Sequence, residues 1–314
     1  VLSSGTVTLE AAENLTNSGE FYGGGDTNMT AGKALENTES GRITNEGAAK
    51  LTAGTTLNNA GTIDINNEAE LFAGTTLTNT GDISTYGDVL IAAGEDLTNS
   101  GKILTDANAI LLSDGDMTNT GDITAKNMID LDAYGSVTNS GNFETETGDI
   151  LITSTDSGIE NSGSMTVTDK GSISLEAKTD LTNSGTLETE TEGSITLNTT
   201  EGDLSNSGKI ASQNGDVTMT ADTGSVSNTN DIIADGGSVK ITAQKNIDNS
   251  TDDGYILSTD QVIMTAETGT LNNAAVIVSK NDVSLTSGGD MTNIGNMLVD
   301  DEVKMKSGAS LENS

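Results

Sequence analysis

The chain has 314 residues, contains no Cys, His, Trp or Pro, and has only 2 % aromatic residues, so it lacks most of the side chains that enzymes use. Its 48 acidic and 13 basic residues give a formal charge of -35, which argues against nucleic acid or an anionic membrane surface as a partner. Neither a disulfide framework nor a thiolate metal site can form, and no apolar run approaches the roughly 18 residues of a transmembrane segment.

The first recurring element is a five-residue segment in which apolar and polar residues alternate. It begins as Val7-x-Leu9-x-Ala11 and returns along the chain, for example as Val217-x-Met219-x-Ala221. Alternation with a period of two predicts a strand with one buried face. The last inward residue is always small, which indicates a tight corner.

The second element is an asparagine that follows an aliphatic residue by two positions, as in "LTN". Fifteen such asparagines lie 20 to 24 residues apart and span the chain: Asn17, Asn37, Asn59, Asn79, Asn99, Asn119, Asn139, Asn161, Asn183, Asn206, Asn228, Asn249, Asn273, Asn293 and Asn313. We expect both residues to point inward and the amides to form a hydrogen-bonded ladder from coil to coil. An amide suits this role because it both donates and accepts, whereas stacked carboxylates would repel each other.

The third element is a glycine two residues after the asparagine, followed by another apolar residue, as in Gly81 and Ile83. We expect this glycine to supply a corner with positive φ, and Asn230 to replace it in one repeat. Two insertions lengthen the element, "NTESGRI" before Ile43 and "NSTDDGYI" before Ile256.

Three short strands in about 21 residues predict an all-β fold, a single-stranded parallel β-helix of about 15 coils. A single coil buries too little apolar surface to fold alone, so neighbouring coils must cover one another. No linker interrupts the repeats, and we expect residues 1–314 to form one continuous β-helix segment.

One acidic position is a candidate for metal binding. The residue before the aliphatic is acidic in adjacent coils at two places, at Asp96 with Asp116 and at Asp180 with Asp203. These pairs place like charges one strand spacing apart, which either a solvated surface or weakly bound calcium could accommodate. No other metal, and no cofactor, is expected.

The chain offers little for catalysis. Arg42 is the only arginine, and carboxylate pairs such as Glu188 with Glu190, or Glu190 with Glu192, arise by chance among so many acidic residues. We therefore predict no catalytic residue and no enzymatic activity.

The repeats "AGEDLTNSGKILTDANAILLSDGDMTNTGDIT" and "GSISLEAKTDLTNSGTLETETEGSITL" resemble the haemagglutinin-type repeats of filamentous haemagglutinin. This family comprises two-partner-secretion exoproteins of Gram-negative bacteria. The resemblance implies a right-handed β-helix, export through an outer-membrane transporter partner, and a location outside the cell at the bacterial surface. It also implies a longer parent protein that supplies the secretion domain and the caps.

The leading functional prediction is a structural and adhesive rod segment of a haemagglutinin-like adhesin that contacts a receptor or glycan on a host or neighbouring cell. Two alternatives stay open at this point: the stalk of a contact-dependent growth-inhibition toxin, and a β-helical carbohydrate-active enzyme. Short turns throughout favour the first two over the third.

Overall fold

The computed structural model describes residues 1–250 and 254–314, and within them it contains β-strands and no helix. There are 45 strands in three parallel sheets of 15 strands, here called sheets A, B and C. Each repeat contributes one strand to each sheet, so the predicted all-β solenoid of about 15 coils is confirmed. Residues 251–253, in the "NSTDDGYI" insertion, lie outside the described residues.

Sheet A contains the segments that follow the corner glycines. Its strands have four residues in most coils, and their inward residues are usually a large apolar side chain followed by a small or polar one, although Thr62–Ile65 and Ser164–Val167 have a large apolar residue at both positions. The strands are β1 (Leu2–Ser3), β4 (Glu20–Gly23), β7 (Arg42–Asn45), β10 (Thr62–Ile65), β13 (Asp82–Thr85), β16 (Lys102–Thr105), β19 (Asp122–Ala125), β22 (Asn142–Thr145), β25 (Ser164–Val167), β28 (Thr186–Thr189), β31 (Ile210–Gln213), β34 (Ile232–Asp235), β37 (Tyr255–Ser258), β40 (Val276–Ser279) and β43 (Met297–Val299).

Sheet B contains the alternating segments, and each of its strands has five residues. The first, third and fifth side chains point inward, as the sequence predicts. The strands are β2 (Val7–Ala11), β5 (Thr27–Ala31), β8 (Ala49–Ala53), β11 (Ala69–Ala73), β14 (Val89–Ala93), β17 (Ala109–Ser113), β20 (Ile129–Ala133), β23 (Ile150–Ser154), β26 (Ile173–Ala177), β29 (Ile195–Thr199), β32 (Val217–Ala221), β35 (Val239–Ala243), β38 (Val262–Ala266), β41 (Val283–Ser287) and β44 (Val303–Ser307).

Sheet C contains the aliphatic-x-asparagine segments, and each strand is three residues long. Its strands are β3 (Leu15–Asn17), β6 (Leu35–Asn37), β9 (Leu57–Asn59), β12 (Leu77–Asn79), β15 (Leu97–Asn99), β18 (Met117–Asn119), β21 (Val137–Asn139), β24 (Ile159–Asn161), β27 (Leu181–Asn183), β30 (Leu204–Asn206), β33 (Val226–Asn228), β36 (Ile247–Asn249), β39 (Leu271–Asn273), β42 (Met291–Asn293) and β45 (Leu311–Asn313).

The chain forms two compact units, Val1–Leu151 and Ile152–Ser314. In the first unit β12 pairs in register with β9 and β15, so that Leu77 stacks between Leu57 and Leu97. In the second unit β27 pairs in the same way with β24 and β30. One continuous segment from residue 1 to 314 stays a prediction.

Inward side chains of all three sheets form the core of each coil. In the first unit Ile83, Ile91 and Leu97 come from the three sheets and are almost fully buried. In-register stacking places an aliphatic side chain above and below each of them, which supplies the apolar cover that one coil lacks.

The corner glycines correct one sequence-based prediction. Among the described residues the left-handed region of φ is occupied by Gly171, Gly236 and Asn214, and none of these is a corner residue. At most corners glycine is needed for space: a Cβ atom at Gly208 would collide with the carbonyl oxygen of Gly185 in the preceding coil. Two coils have Asn230 and Ala275 at the equivalent position, and neither of these residues has a positive φ. The prediction of positive φ was wrong because it considered the coil alone and not its neighbour.

We predict that Gly208→Ala destabilises the second unit by about 1–3 kcal/mol, because the added methyl group must push two stacked backbones apart. Urea unfolding measures this change in free energy. Ser207→Ala is the matched control, since Ser207 is exposed on the same turn. Equal midpoints for the two variants would contradict close coil contact as the reason for the glycine.

Candidate functional site

The anchor asparagines of the first unit form a continuous hydrogen-bonded column. From each residue to the next, Nδ2 donates to Oδ1 over 2.7–2.8 Å. The column contains Asn17, Asn37, Asn59, Asn79, Asn99, Asn119 and Asn139. Except for Asn17 at its start, its members are at most 2 % exposed.

The second unit contains a column of the same kind. Its Nδ2 to Oδ1 distances are again 2.7–2.8 Å, from each residue to the next. The members are Asn161, Asn183, Asn206, Asn228, Asn249, Asn273, Asn293 and Asn313.

The second amide proton explains why the residue is asparagine. Asn183 Nδ2 also donates to the carbonyl oxygen of Gly185 in its own coil, over 3.3 Å, and Asn79 makes the same bond to Gly81 over 3.1 Å. These amides therefore use one bond to hold their own turn and another to hold the next coil, whereas Asn17, Asn37 and Asn59 donate both bonds to the next coil. Aspartate at neutral pH has no proton to donate and could make neither bond.

The four candidate calcium ligands also bond from coil to coil. Asp96 Oδ1 accepts from the backbone N–H of Asp116 over 2.9 Å, and Asp180 Oδ1 accepts from that of Asp203 over 2.8 Å. Asp116 and Asp203 accept in turn from Ser136 and Ser225. Each carboxylate therefore satisfies a backbone donor at the equivalent corner of the following coil, a role that the sequence analysis missed.

Uncharged residues perform this role elsewhere. Asn14 Oδ1 accepts from the N–H of Ala34 over 3.2 Å, and Asn246 Oδ1 accepts from that of Thr270 over 2.9 Å. The turn before each sheet C strand therefore requires a hydrogen-bond acceptor and not a charge. In residues 1–250 and 254–314, no three or more acidic side chains group so that they could hold a metal ion. Weak calcium binding at the four aspartates stays a prediction.

A second group of buried polar residues, which does not form a continuous column, was also missed. Hydroxyl groups at the inward ends of sheet A strands donate to turn carbonyls: Thr85 and Thr105 both donate to the oxygen of Gly87, over 2.7 and 2.6 Å. In the second unit Ser258 donates to Gly237 over 2.7 Å. The signal was the recurring Thr or Ser two residues after the apolar residue of sheet A.

The residues considered for catalysis lie on outward or turn positions. Glu188 Oε1 binds Lys209 Nζ over 3.1 Å, Glu192 Oε2 lies 3.3 Å from Lys170 Nζ, and Glu190 is exposed. Arg42 pairs with Asp64 over 3.0 Å. These are surface ion pairs between successive coils, which contribute modestly to stability. The absence of catalytic residues stays a prediction.

Side-chain contacts between coils also shift the pKa values of two half-buried residues. Asp260 accepts from Ser238 Oγ and from Asn281 Nδ2, both over 2.7 Å, and these bonds lower the pKa of its carboxyl. The hydroxyl of Tyr22 donates to Glu46 Oε1 over 2.5 Å, which raises the pKa of the phenol. Neither residue lies in an acid–base constellation, so both shifts report stacking.

We predict that Asn183→Ala destabilises the second unit by about 2–4 kcal/mol, because Asn161 loses its acceptor and Asn206 its donor. Asn183→Asp is also destabilising at neutral pH, and this loss decreases at acidic pH, where a protonated carboxyl can donate one bond. Thr182→Ala, an outward change on the same strand, serves as the control. Urea midpoints that match the control would contradict the structural role of the ladder.

We predict that Asp116→Asn keeps wild-type stability, since the amide oxygen still accepts, whereas Asp116→Ala costs about 1 kcal/mol. Thermal unfolding distinguishes the two variants.

Calcium binding predicts, in addition, a rise in Tm at millimolar Ca²⁺ that the double variant Asp96→Asn/Asp116→Asn abolishes. Calorimetry that records no heat, together with an unchanged Tm, would rule out the calcium site.

Comparison with known families gives one match. A family model described as "Haemagglutinin repeat" matches residues 1–47, 46–101, 85–208, 191–251 and 259–295, which cover most of the chain. Searches of the curated proteins and of the solved structures found no match. No helix among the described residues is long and apolar enough to cross a membrane. With repeats of this type along most of its length and the stacked coils described above, the chain belongs to the haemagglutinin repeat family.

Proposed function

We propose that the chain is a structural and adhesive segment of a haemagglutinin-like exoprotein, with no active site. The observation that carries this proposal is the stacked-coil architecture itself. Buried ladders account for the repeated residues, while the outward residues differ from coil to coil. A fixed frame with a varying outer surface suits attachment better than chemistry.

The outward faces of the sheets favour shallow contacts repeated along the chain. The short strands have polar outward residues such as Thr196, Thr218 and Thr220, whose hydroxyl groups are spaced by the strands that carry them. Individual contacts of this kind are weak, and many of them acting together give strong attachment through multivalency. The partner proposed here is a receptor or glycan on a host or neighbouring cell.

We also propose export by the two-partner route and a final location outside the cell at the bacterial surface. Membership of the haemagglutinin repeat family supports this route, and so does the absence of cysteine from the sequence, which removes any need for disulfide formation after export. A gene for an outer-membrane transporter beside the gene for this chain would support the proposal.

Adhesion is tested with polymer beads that carry the purified, folded chain at high density. We expect these beads to attach to erythrocytes or epithelial cells, while the free chain in solution competes only at high concentration, because single contacts are weak. Flow-chamber counting of attached beads gives the measurement.

Beads that carry the heat-unfolded chain are the control, since they present the same composition and charge without the frame. Equal attachment of both bead types would contradict a folded adhesive surface. Release of reducing sugar from bacterial or host polysaccharides by the folded chain would instead favour an enzyme.

A further inference from the structure

The outer face of sheet B in the first unit carries a compact group of apolar side chains. The group, here called the apolar block, consists of Phe72, Leu90, Ala92, Ile110 and Leu112. Register places Leu90 beside Ile110, and Ala92 between Phe72 and Leu112. With strands about 4.8 Å apart, the block extends roughly 10 Å across three coils.

The apolar block departs from the pattern of outward positions in the same sheet. Coils before it carry Thr8, Glu10, Asn28 and Thr30 at the equivalent positions. Outward apolar residues contribute nothing to the core, and Leu112 remains 37 % exposed. The other four residues of the block are half-buried, and a contiguous, partly exposed apolar group of this kind is typical of an interaction surface.

The edge of the block nearer the start of the chain is electrically neutral. Lys50 Nζ binds Glu70 Oε2 over 2.7 Å and lies 4.6 Å from the centre of the Phe72 ring. The lysine therefore already has an anion and an aromatic face as partners. This edge gives no preference for a charged partner.

The opposite edge is acidic. Asp130 lies beside Ile110 and Asp132 beside Leu112, and within the described part of the chain neither aspartate forms an ion pair with a lysine or arginine. Burial, and then the charge of Asp132, raise the pKa of the Asp130 carboxyl. A cation placed here would relieve this repulsion.

We propose that the apolar block and its two aspartates form a docking surface for a polypeptide segment in which apolar side chains lie next to lysine or arginine. The acidic edge selects a cationic partner, and the apolar block supplies the contact area. A second copy of this chain is disfavoured by its charge of -35. The proposal rests on residues of the first unit and is independent of the adhesive role proposed above.

The test uses two short synthetic peptides that alternate leucine and threonine, one ending in two lysines and the other in two glutamates. Fluorescence anisotropy measures their binding to the full, folded chain. We expect saturable binding of the lysine peptide only. Leu90→Thr/Ile110→Thr/Leu112→Thr should weaken it at least about tenfold, and Asp130→Asn/Asp132→Asn about threefold, with a smaller dependence on salt.

Ile263→Thr is the matched control, because Ile263 is an outward apolar residue of sheet B in the second unit, between Lys240 and Ser284. It should leave peptide binding unchanged. Threonine occurs naturally at outward positions of sheet B in several coils. Should the triple variant unfold, Leu112→Ser alone serves as a milder variant.

Four results would overturn the proposal. Equal binding to all variants would indicate general attraction to an acidic surface, and no saturable binding would exclude a polypeptide partner of this class. Self-association that the triple variant abolishes would identify a second copy as the occupant. Binding to zwitterionic phospholipid vesicles that the triple variant abolishes would identify a lipid surface.

Discussion

Every strand of this chain depends on the strands of neighbouring coils, because its own length is too small for independent stability. In the described part of the chain no strand exceeds five residues, and those of sheet C have three. Backbone hydrogen bonds and apolar cover both come from residues about one repeat away in sequence. The fold therefore depends on in-register stacking of the coils, and its buried and turn residues stabilise that register.

The buried polar residues enforce that register. An apolar core alone would tolerate a shift along the strand, because one aliphatic side chain packs well against another. Asn183 must meet the amides of Asn161 and Asn206, and a shifted coil would leave buried donors and acceptors without partners. Turn residues such as Asp116 also fix the register at the surface, because their side-chain oxygens accept from backbone N–H groups of the next coil.

The sequence predicts the strands and the asparagine ladder well because both follow from patterns within one repeat. Alternation fixes which residues of Val217–Ala221 point inward, and the shared parity of Leu97 and Asn99 places the asparagine inside. The role of Gly208 could not be predicted this way, since it depends on contact with Gly185 in another coil.

The same limitation applies to the aspartates and to the apolar block. A repulsive pair was inferred for Asp96 and Asp116 from their spacing, whereas the folded chain turns the carboxylate of Asp96 to the backbone of Asp116. Leu90 and Ile110 are 20 residues apart and become neighbours only once the register is known. Contacts between coils are thus where the sequence alone says least, and the proposed docking surface depends on such contacts.

The inside of the chain repeats the same geometry from coil to coil, whereas the chemistry of the outside varies, and this difference links the fold to the proposed function. Inward positions accept few residue types, so recognition must depend on outward side chains and on turns. The formal charge of -35 opposes association between copies of such a chain.

Hydrogen exchange of the asparagine side-chain amides, followed by NMR, tests this account most directly. The account predicts that amide protons of ladder residues such as Asn99 and Asn183 exchange far more slowly than those of the exposed turn residues Asn66 and Asn67. Exchange of all these amides at similar, rapid rates would contradict the stacked ladder on which the fold depends.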